Sequence, residues 1–234
     1  MPEQKVAVIT AASRGMGAAI ARRLAADGYR LALMSRTDDV LALASELGGV
    51  GHLGSVSEPN DLEQFVERAL SAYGRIDAAV CNTGHPPKGD LLAIPDADWH
   101  AGLDLVLLNT VRVARLVTPV MERQGGGAIV NVSTFGAIEP SLKFPVSSAL
   151  RAGLGAFVKL YADRYGPAGI RMNSVLPGFI ETYDVDDDTR GKIPLGRPGG
   201  VEEVAATVAF LLSEGGGYIT GQSIRVDGGI TRSI

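Results

Sequence analysis

Six short stretches of this chain are almost continuously apolar and rich in β-branched or small residues: KVAVIT (5–10), RLALMS (30–35), IDAAVC (76–81), GAIVNVS (127–133), IRMNSVL (170–176) and SIRVDG (223–228). A strand that is apolar on both of its alternating sides must be covered on both faces. Between these runs stand longer segments with helical spacing, at 15–27, 37–47, 58–73, 97–123, 146–165 and 201–213. Strand and helix therefore alternate. That order implies right-handed βαβ units and a doubly wound parallel sheet with helices on both faces. GVGHLG (49–54) is a weaker candidate, giving about seven strands. The length of 234 residues suits one domain, 1–234, with no linker and no internal repeat. Ser57 is expected to cap the helix that continues with Glu58 and Pro59.

Charge and composition narrow the function. The formal net charge is −4, which argues against a nucleic-acid partner or an anionic membrane surface. No apolar run approaches a membrane span, so no membrane partner is expected. The opening MPEQKVAVIT lacks the regions of a signal peptide. The single cysteine, Cys81, follows an apolar run and reads as a small buried side chain. A cytoplasmic location is the expectation. His52, His85 and His100 are scattered without ligand spacing, so no metal is expected. The acidic run 184–191 reads as an exposed loop, with a substrate lid as the sharper alternative.

The first candidate strand runs straight into TAASRGMG (10–17), after which a helix begins. Gly15 and Gly17 allow a pyrophosphate to approach the backbone, and the helix N-terminus offers free N–H groups and a positive dipole end. Two glycines alone mean little. At the first strand–turn–helix junction they point to a dinucleotide. An NAD site places an acidic side chain at the end of the second strand, whereas this chain has Ser35 and Arg36 there. Arg36, with Arg14 from the glycine turn, can pair with a 2′-phosphate. Asp38 and Asp39 come late and suit the start of the next helix. NADP(H) is therefore expected over NAD(H). The plain alternative is two solvated arginines.

These motifs resemble the short-chain dehydrogenase/reductase family over nearly the whole chain. Thr10, Gly15 and Gly17 match its first motif, with Ala11 in place of a glycine, and Ala12, Ser13 and Met16 fill the same turn. Its Asn-Asn-Ala-Gly segment appears as Cys81, Asn82, Thr83 and Gly84. Its Asp-Val beside the adenine appears as Ser55 and Val56. LPGFIET (176–182) resembles the turn that holds the nicotinamide, through Pro177, Gly178, Ile180 and Thr182, and YITGQSIRVDGG (218–229) resembles the last strand. The resemblance implies a Rossmann-type fold, a small-molecule carbonyl or alcohol substrate, and a homodimer or homotetramer formed through helices 97–123 and 146–165.

At the chemical end the resemblance breaks. The family uses a tyrosine as general acid, a lysine four residues on that tunes it and binds the ribose, a serine that orients the carbonyl, and an asparagine in a water relay. In NVSTFGA (131–137) the reactive hydroxyl falls on Thr134, beside Ser133. Thirteen residues on, the tyrosine slot holds Ser147, and the lysine slot holds Arg151. Counting from Trp99 and Arg112 puts the asparagine slot at Val106, with Asn109 one turn late. Arg151 keeps a charge for the ribose but does not deprotonate, and an aliphatic hydroxyl is a far weaker acid than a phenol. A less common branch of the family, 3-oxoacyl-ACP reductase-like, carries Ser-Asn-x-x-Arg here and a Val-Asp-Gly-Gly-Leu-Thr-Arg-Ser end. SSALR (147–151) and VDGGITRS (226–233) resemble it. Halohydrin dehalogenases share the arginine but keep the tyrosine and lose the glycine turn, so they fit poorly.

Two functions remain open at this point. One is an NADP(H)-dependent oxidoreductase with an atypical proton donor, Tyr183, His85 and Lys143 being the substitutes in reach along the chain. The other is a catalytically inactive NADP(H)-binding protein, a sensor or assembly subunit.

Overall fold

The computed structural model describes residues 4–182 and 184–234. Seven parallel strands form one sheet: β1 (Val6–Ile9), β2 (Arg30–Ser35), β3 (Val50–Leu53), β4 (Ala78–Cys81), β5 (Gly127–Val132), β6 (Ile170–Pro177) and β7 (Ser223–Val226). Their spatial order is β3-β2-β1-β4-β5-β6-β7, and every neighbouring pair is parallel. The order reverses direction between β1 and β4. That reversal opens a crevice at the strands' carboxyl ends, where ligands of such sheets bind.

The period-two alternation of each strand divides the core. Ala7 and Ile9 of β1 face one side with Val130 and Val132 of β5, against α1 (Gly15–Ala26), α2 (Asp39–Glu46) and α8 (Val201–Leu212). Val8 and Ile129 face the other side, against α3 (Pro59–Tyr73), α5 (Asn109–Gln124) and α6 (Pro145–Tyr165). Every residue of β1 and β4 is buried, which is why these strands read as continuous apolar runs.

Three local readings change. Glu58, not Ser57, occupies the N-cap of α3, and Pro59 opens the helix. The Ser57 N–H is spent on Ser55 Oγ at 3.2 Å, inside the turn. The segment expected as one helix over 97–123 is α4 (Asp96–Leu103) and α5, joined by a π turn at Asp104–Leu108. A π turn inserts one residue and shifts the helical face beyond it. Arg112 braces this turn, donating to Asp104 at 2.5 Å and to the Ser57 carbonyl at 3.1 Å. Finally, the acidic run is not all loop. Asp186 accepts the Thr189 N–H at 2.7 Å and caps α7 (Asp187–Lys192).

Candidate active site

The glycine turn is held by side chains from the next strand over. Thr10 Oγ1 donates to the Asn82 carbonyl at 2.7 Å and accepts the Asn82 N–H at 3.0 Å. The Asn82 amide donates to the Ala11 carbonyl, also at 3.0 Å. β1 and β4 are thus stapled at their carboxyl ends, where the turn leaves the sheet. Gly17 has no room for a side chain: a Cβ would sit 2.2 Å from the Ala11 oxygen and 2.9 Å from the Asn82 amide. Ala11 itself lies at φ +47°, in the left-handed region where the family's motif has glycine. Arg14 N-caps α1 without a side-chain cap, so the first N–H groups of that helix face the crevice unclaimed.

Thr182 reaches the same place from the far side of the sheet. Its methyl group comes within 3.5 Å of the position of a Gly15 Cβ. The loop carrying it is fixed at its base. Gly178 N donates to the Val226 carbonyl at 3.0 Å, a Gly178 Cβ would strike Asp227, and buried Ile180 bridges to Gly199. Pro177 ends β6 beneath this loop. Thr83, two residues after β4, has its hydroxyl buried with no partner among the described residues. Gly84 follows with open space around it. Buried Ala12 and half-buried Met16 complete the floor of the turn. A shape that excludes Cβ atoms and leaves a buried donor unspent fits a pyrophosphate and nicotinamide. Ser55 and buried Val56 follow β3, and the Ser55 N–H is held by Asp61 Oδ2 at 2.7 Å.

Arg14 of the glycine turn and Arg36 at the end of β2 are exposed, and three hydroxyls from residues next to them in the chain come together. Ser13 Oγ and Ser35 Oγ are 2.9 Å apart, and Thr37 Oγ1 is 3.2 Å from Ser13 Oγ and 3.4 Å from Asp39 Oδ2. The sequence carried no signal for Thr37, because its partner is 24 residues away in the glycine turn.

The segment expected to carry the altered catalytic motif, Ser147 to Arg151, lies along the first turns of α6. Arg151 is only 7% exposed. Its Nη1 donates to the Val132 carbonyl at 2.9 Å, at the end of β5 and two residues before Thr134. Its Nε is buried and without a partner among the described residues. Burial alone depresses its pKa, to about 10. Thr134 Oγ1 accepts the Gly136 N–H at 3.5 Å, which leaves its own proton free to donate. Ser133 is buried beside it. Ser147 is half-buried and makes no side-chain hydrogen bond among the described residues. Its neighbour Ser148, unremarked in the sequence, is buried and accepts the Ser141 N–H at 3.3 Å, tying the incoming loop to α6.

The other candidates separate. Val106 is buried inside the π turn, and Asn109 is 1% exposed with its Oδ1 unpartnered. Lys143 is exposed; the Asp186 pKa is lowered first by its hydrogen bonds from Thr189 and, less, by the charges of Lys143 and Lys192. Lys88, from the same loop as His85, stacks over Phe144 at 4.6 Å. His85 has its pKa pushed below the ordinary value, first by desolvation and then by Lys88 and Arg151. It is a neutral imidazole at pH 7, not a ready acid. Tyr183 lies outside the described residues. Cys81 is buried as expected, and burial raises its thiol pKa to about 12.

A family model described as Enoyl-(Acyl carrier protein) reductase matches residues 10–231. The chain is 33% identical over 238 residues to the 3-oxoacyl-(acyl-carrier-protein) reductase FabG of Escherichia coli K12, covering 97% of this chain and 98% of that one. It is 33% identical over 241 residues to human dehydrogenase/reductase SDR family member 4, covering 96% and 87%. To the short-chain reductase protein NovJ of Streptomyces niveus it is 32% identical over 247 residues, covering 97% and 94%.

Proposed function

Since the chain belongs to the short-chain dehydrogenase/reductase family of oxidoreductases, we propose that it is an NADP(H)-dependent enzyme acting on a carbonyl or alcohol through an altered site. The observation that carries this reading is the convergence at the carboxyl ends of the strands of the glycine turn, the unspent Thr83 hydroxyl and Thr182. The preference for the 2′-phosphate is supported by the clustered Ser13, Ser35 and Thr37 hydroxyls and by exposed Arg14 and Arg36, their neighbours along the chain.

When bound, the nicotinamide supplies or takes the hydride. The protein's part is position and charge. Thr10, Ala12, Ser13, Gly15, Met16 and Gly17 hold the pyrophosphate end. Ser55 and Val56 flank the adenine, and Asn82, Thr83, Gly84, Pro177, Gly178, Ile180 and Thr182 flank the nicotinamide. Thr134 donates to the substrate carbonyl oxygen, with Ser133 supporting it. Arg151 takes the ribose-anchoring position. Ser147 passes a proton from water to the carbonyl oxygen by donating one hydrogen while accepting another, which requires no ionisation of the hydroxyl. We place the subunit in a homodimer or homotetramer through α5 and α6, on whose surface Leu160 stands exposed. No helix among the described residues is long and apolar enough to cross a membrane.

One observation favours the second reading, an inactive NADP(H)-binding protein. Val106 fills the asparagine slot and Ser147 has no hydrogen-bonded neighbour to relay through. Titration with NADPH and NADH, followed by turnover on a carbonyl panel, separates them. Absence of NADPH binding sinks both readings. Binding without turnover across the panel selects the second. Arg36→Ala is expected to weaken NADPH binding about tenfold while sparing NADH, as loss of a charge-assisted pair requires.

A further inference from the structure

The segment VDGGITRS (226–233) forms no part of the cofactor floor, yet it makes a dense set of contacts where it leaves β7. It starts against the turn that follows Pro177. Gly178 N donates to the Val226 carbonyl at 3.0 Å, and a Gly178 Cβ would lie 2.7 Å from Asp227 Cα. The Asp227 carboxylate then folds the chain back. It accepts the Gly229 N–H at 2.9 Å, the Thr231 N–H at 3.1 Å and the Thr231 hydroxyl.

This return brings Arg232 and Ser233 to Glu139, which is 93 and 94 residues away along the chain. Both main-chain N–H groups donate to one oxygen, Glu139 Oε1, that of Ser233 at 2.8 Å. Arg225 holds Ser233 from its other side, donating to the Ser233 carbonyl and, at 3.3 Å, to its Oγ. Glu139 is itself one tight turn from Thr134. Ala137 N donates to the Thr134 carbonyl at 3.0 Å, and the Ile138 and Glu139 N–H groups donate to the Phe135 carbonyl at 3.0 and 3.1 Å. The Phe135 ring meets the ring of Phe179, the residue after Gly178, with centroids 5.6 Å apart. The contacts close a ring through Gly178, Asp227, Ser233, Glu139, Phe135 and Phe179. Each exposed link alone would hold little. In a ring the ends of each link are already placed by the others, so closing it costs little further ordering.

We propose that segment 226–233 is a brace that fixes the Thr134 turn relative to the nicotinamide turn at Pro177–Gly178, with Glu139 as its positioning residue. Glu139 acts through the main chain, not as an acid or base. The Thr134 hydroxyl must meet a substrate carbonyl over the nicotinamide, where a misplacement of about 1 Å costs about a hundredfold in rate. The nicotinamide half of this proposal rests on the oxidoreductase reading; the ring of contacts does not.

Two variants test it. Glu139→Leu removes the acceptor at similar volume, and Arg225→Met releases Ser233 from the side that does not touch the Thr134 turn. Amide hydrogen exchange at Ala137 and Ile138, without nucleotide, should quicken at least about tenfold in both, as loss of charge-assisted bonds requires. Glu139→Gln keeps an acceptor oxygen and should fall between the native protein and Glu139→Leu. Affinity for adenosine 2′,5′-bisphosphate, which lacks the nicotinamide, should stay within about twofold of native. The fluorescence lifetime of bound NADPH should shorten toward that of the free cofactor. Unchanged exchange in Arg225→Met overturns the brace, as does exchange in Glu139→Gln as fast as in Glu139→Leu. A native lifetime in Glu139→Leu overturns the positioning role, and so does a parallel loss of adenosine 2′,5′-bisphosphate affinity, which would mark general loosening. If the native protein binds no NADPH, the NADP(H) reading falls, while the exchange rates still decide the brace.

Discussion

Replacing Arg151 by methionine removes a buried charge while keeping most of the stem that packs among the first turns of α6. The guanidinium pKa, ordinarily 12.5, is depressed to about 10 by burial alone. At 1.36 kcal/mol per unit, the unligated protein bears about 3 kcal/mol for holding this group charged. The bond to the Val132 carbonyl, 2.9 Å long, returns about 1.5–2 kcal/mol of that. Methionine loses both and fills a similar volume. Arg151→Met should therefore stabilise the ligand-free protein by about 1–2 kcal/mol, a rise in Tm of about 3–6 °C for a chain of this size. The assay is thermal and urea unfolding by circular dichroism, without nucleotide and at a fixed protein concentration, because oligomers add a mass-action term. The reasoning also requires that the gain shrink or reverse when NADP+ is present, whose ribose Arg151 is proposed to anchor. A ligand-free variant less stable than the native protein would refute it, since the cation must then have a compensating partner before any ligand binds.

Ala11→Gly should raise stability by about 1 kcal/mol, read from the urea midpoint, because φ +47° strains any residue with a Cβ; an unchanged or lower midpoint would show that the turn is relaxed. Gly17→Ala should cut NADPH affinity at least about tenfold in fluorescence titration, since its Cβ would displace the Ala11 carbonyl and the Asn82 staple. Native-like affinity in that variant would show that the turn does not carry the cofactor. Glu139 accepts the Ser233 N–H at 2.8 Å and the Arg232 N–H, and these bonds hold its pKa below the usual carboxylate value. The anchoring is thus complete above the ordinary pKa and lost as pH falls through the lowered one. Glu139→Gln should accordingly speed carboxypeptidase removal of the C-terminal residues at pH 7, and an unchanged rate would show that the tail is held by Arg225 alone. The Cys81 thiol, with its pKa raised to about 12, should react with a disulfide reagent only at the rate of unfolding.

The sheet was legible because both-sided burial imposes continuous apolar runs, and all seven candidate strands are present. The interruption of 97–123 was not legible. A π turn keeps helical composition, and the contacts that brace it, from Arg112 to Asp104 and to the distant Ser57 carbonyl, form only in the folded chain. The ends of elements moved for a similar reason. Ser57 looks like a cap, yet its N–H goes to Ser55. Thr37 and Ser148 went unnoticed because each acts through a partner that only the folded chain brings near.

What the sequence determined by itself is the order of strands and helices, the glycine turn at the first junction, and the presence of Ser147 and Arg151 where the family resemblance leads to an expectation of tyrosine and lysine. These follow from periodicity, from backbone freedom and from side-chain chemistry, all local properties. The tertiary structure decided the electrostatics of the site. It buried Arg151 against a neutral carbonyl, set Lys88 over the Phe144 ring, and brought Thr182 across the sheet to Gly15. The interaction of a charge depends on its distance from other charges and from water, and neither distance is written along the chain.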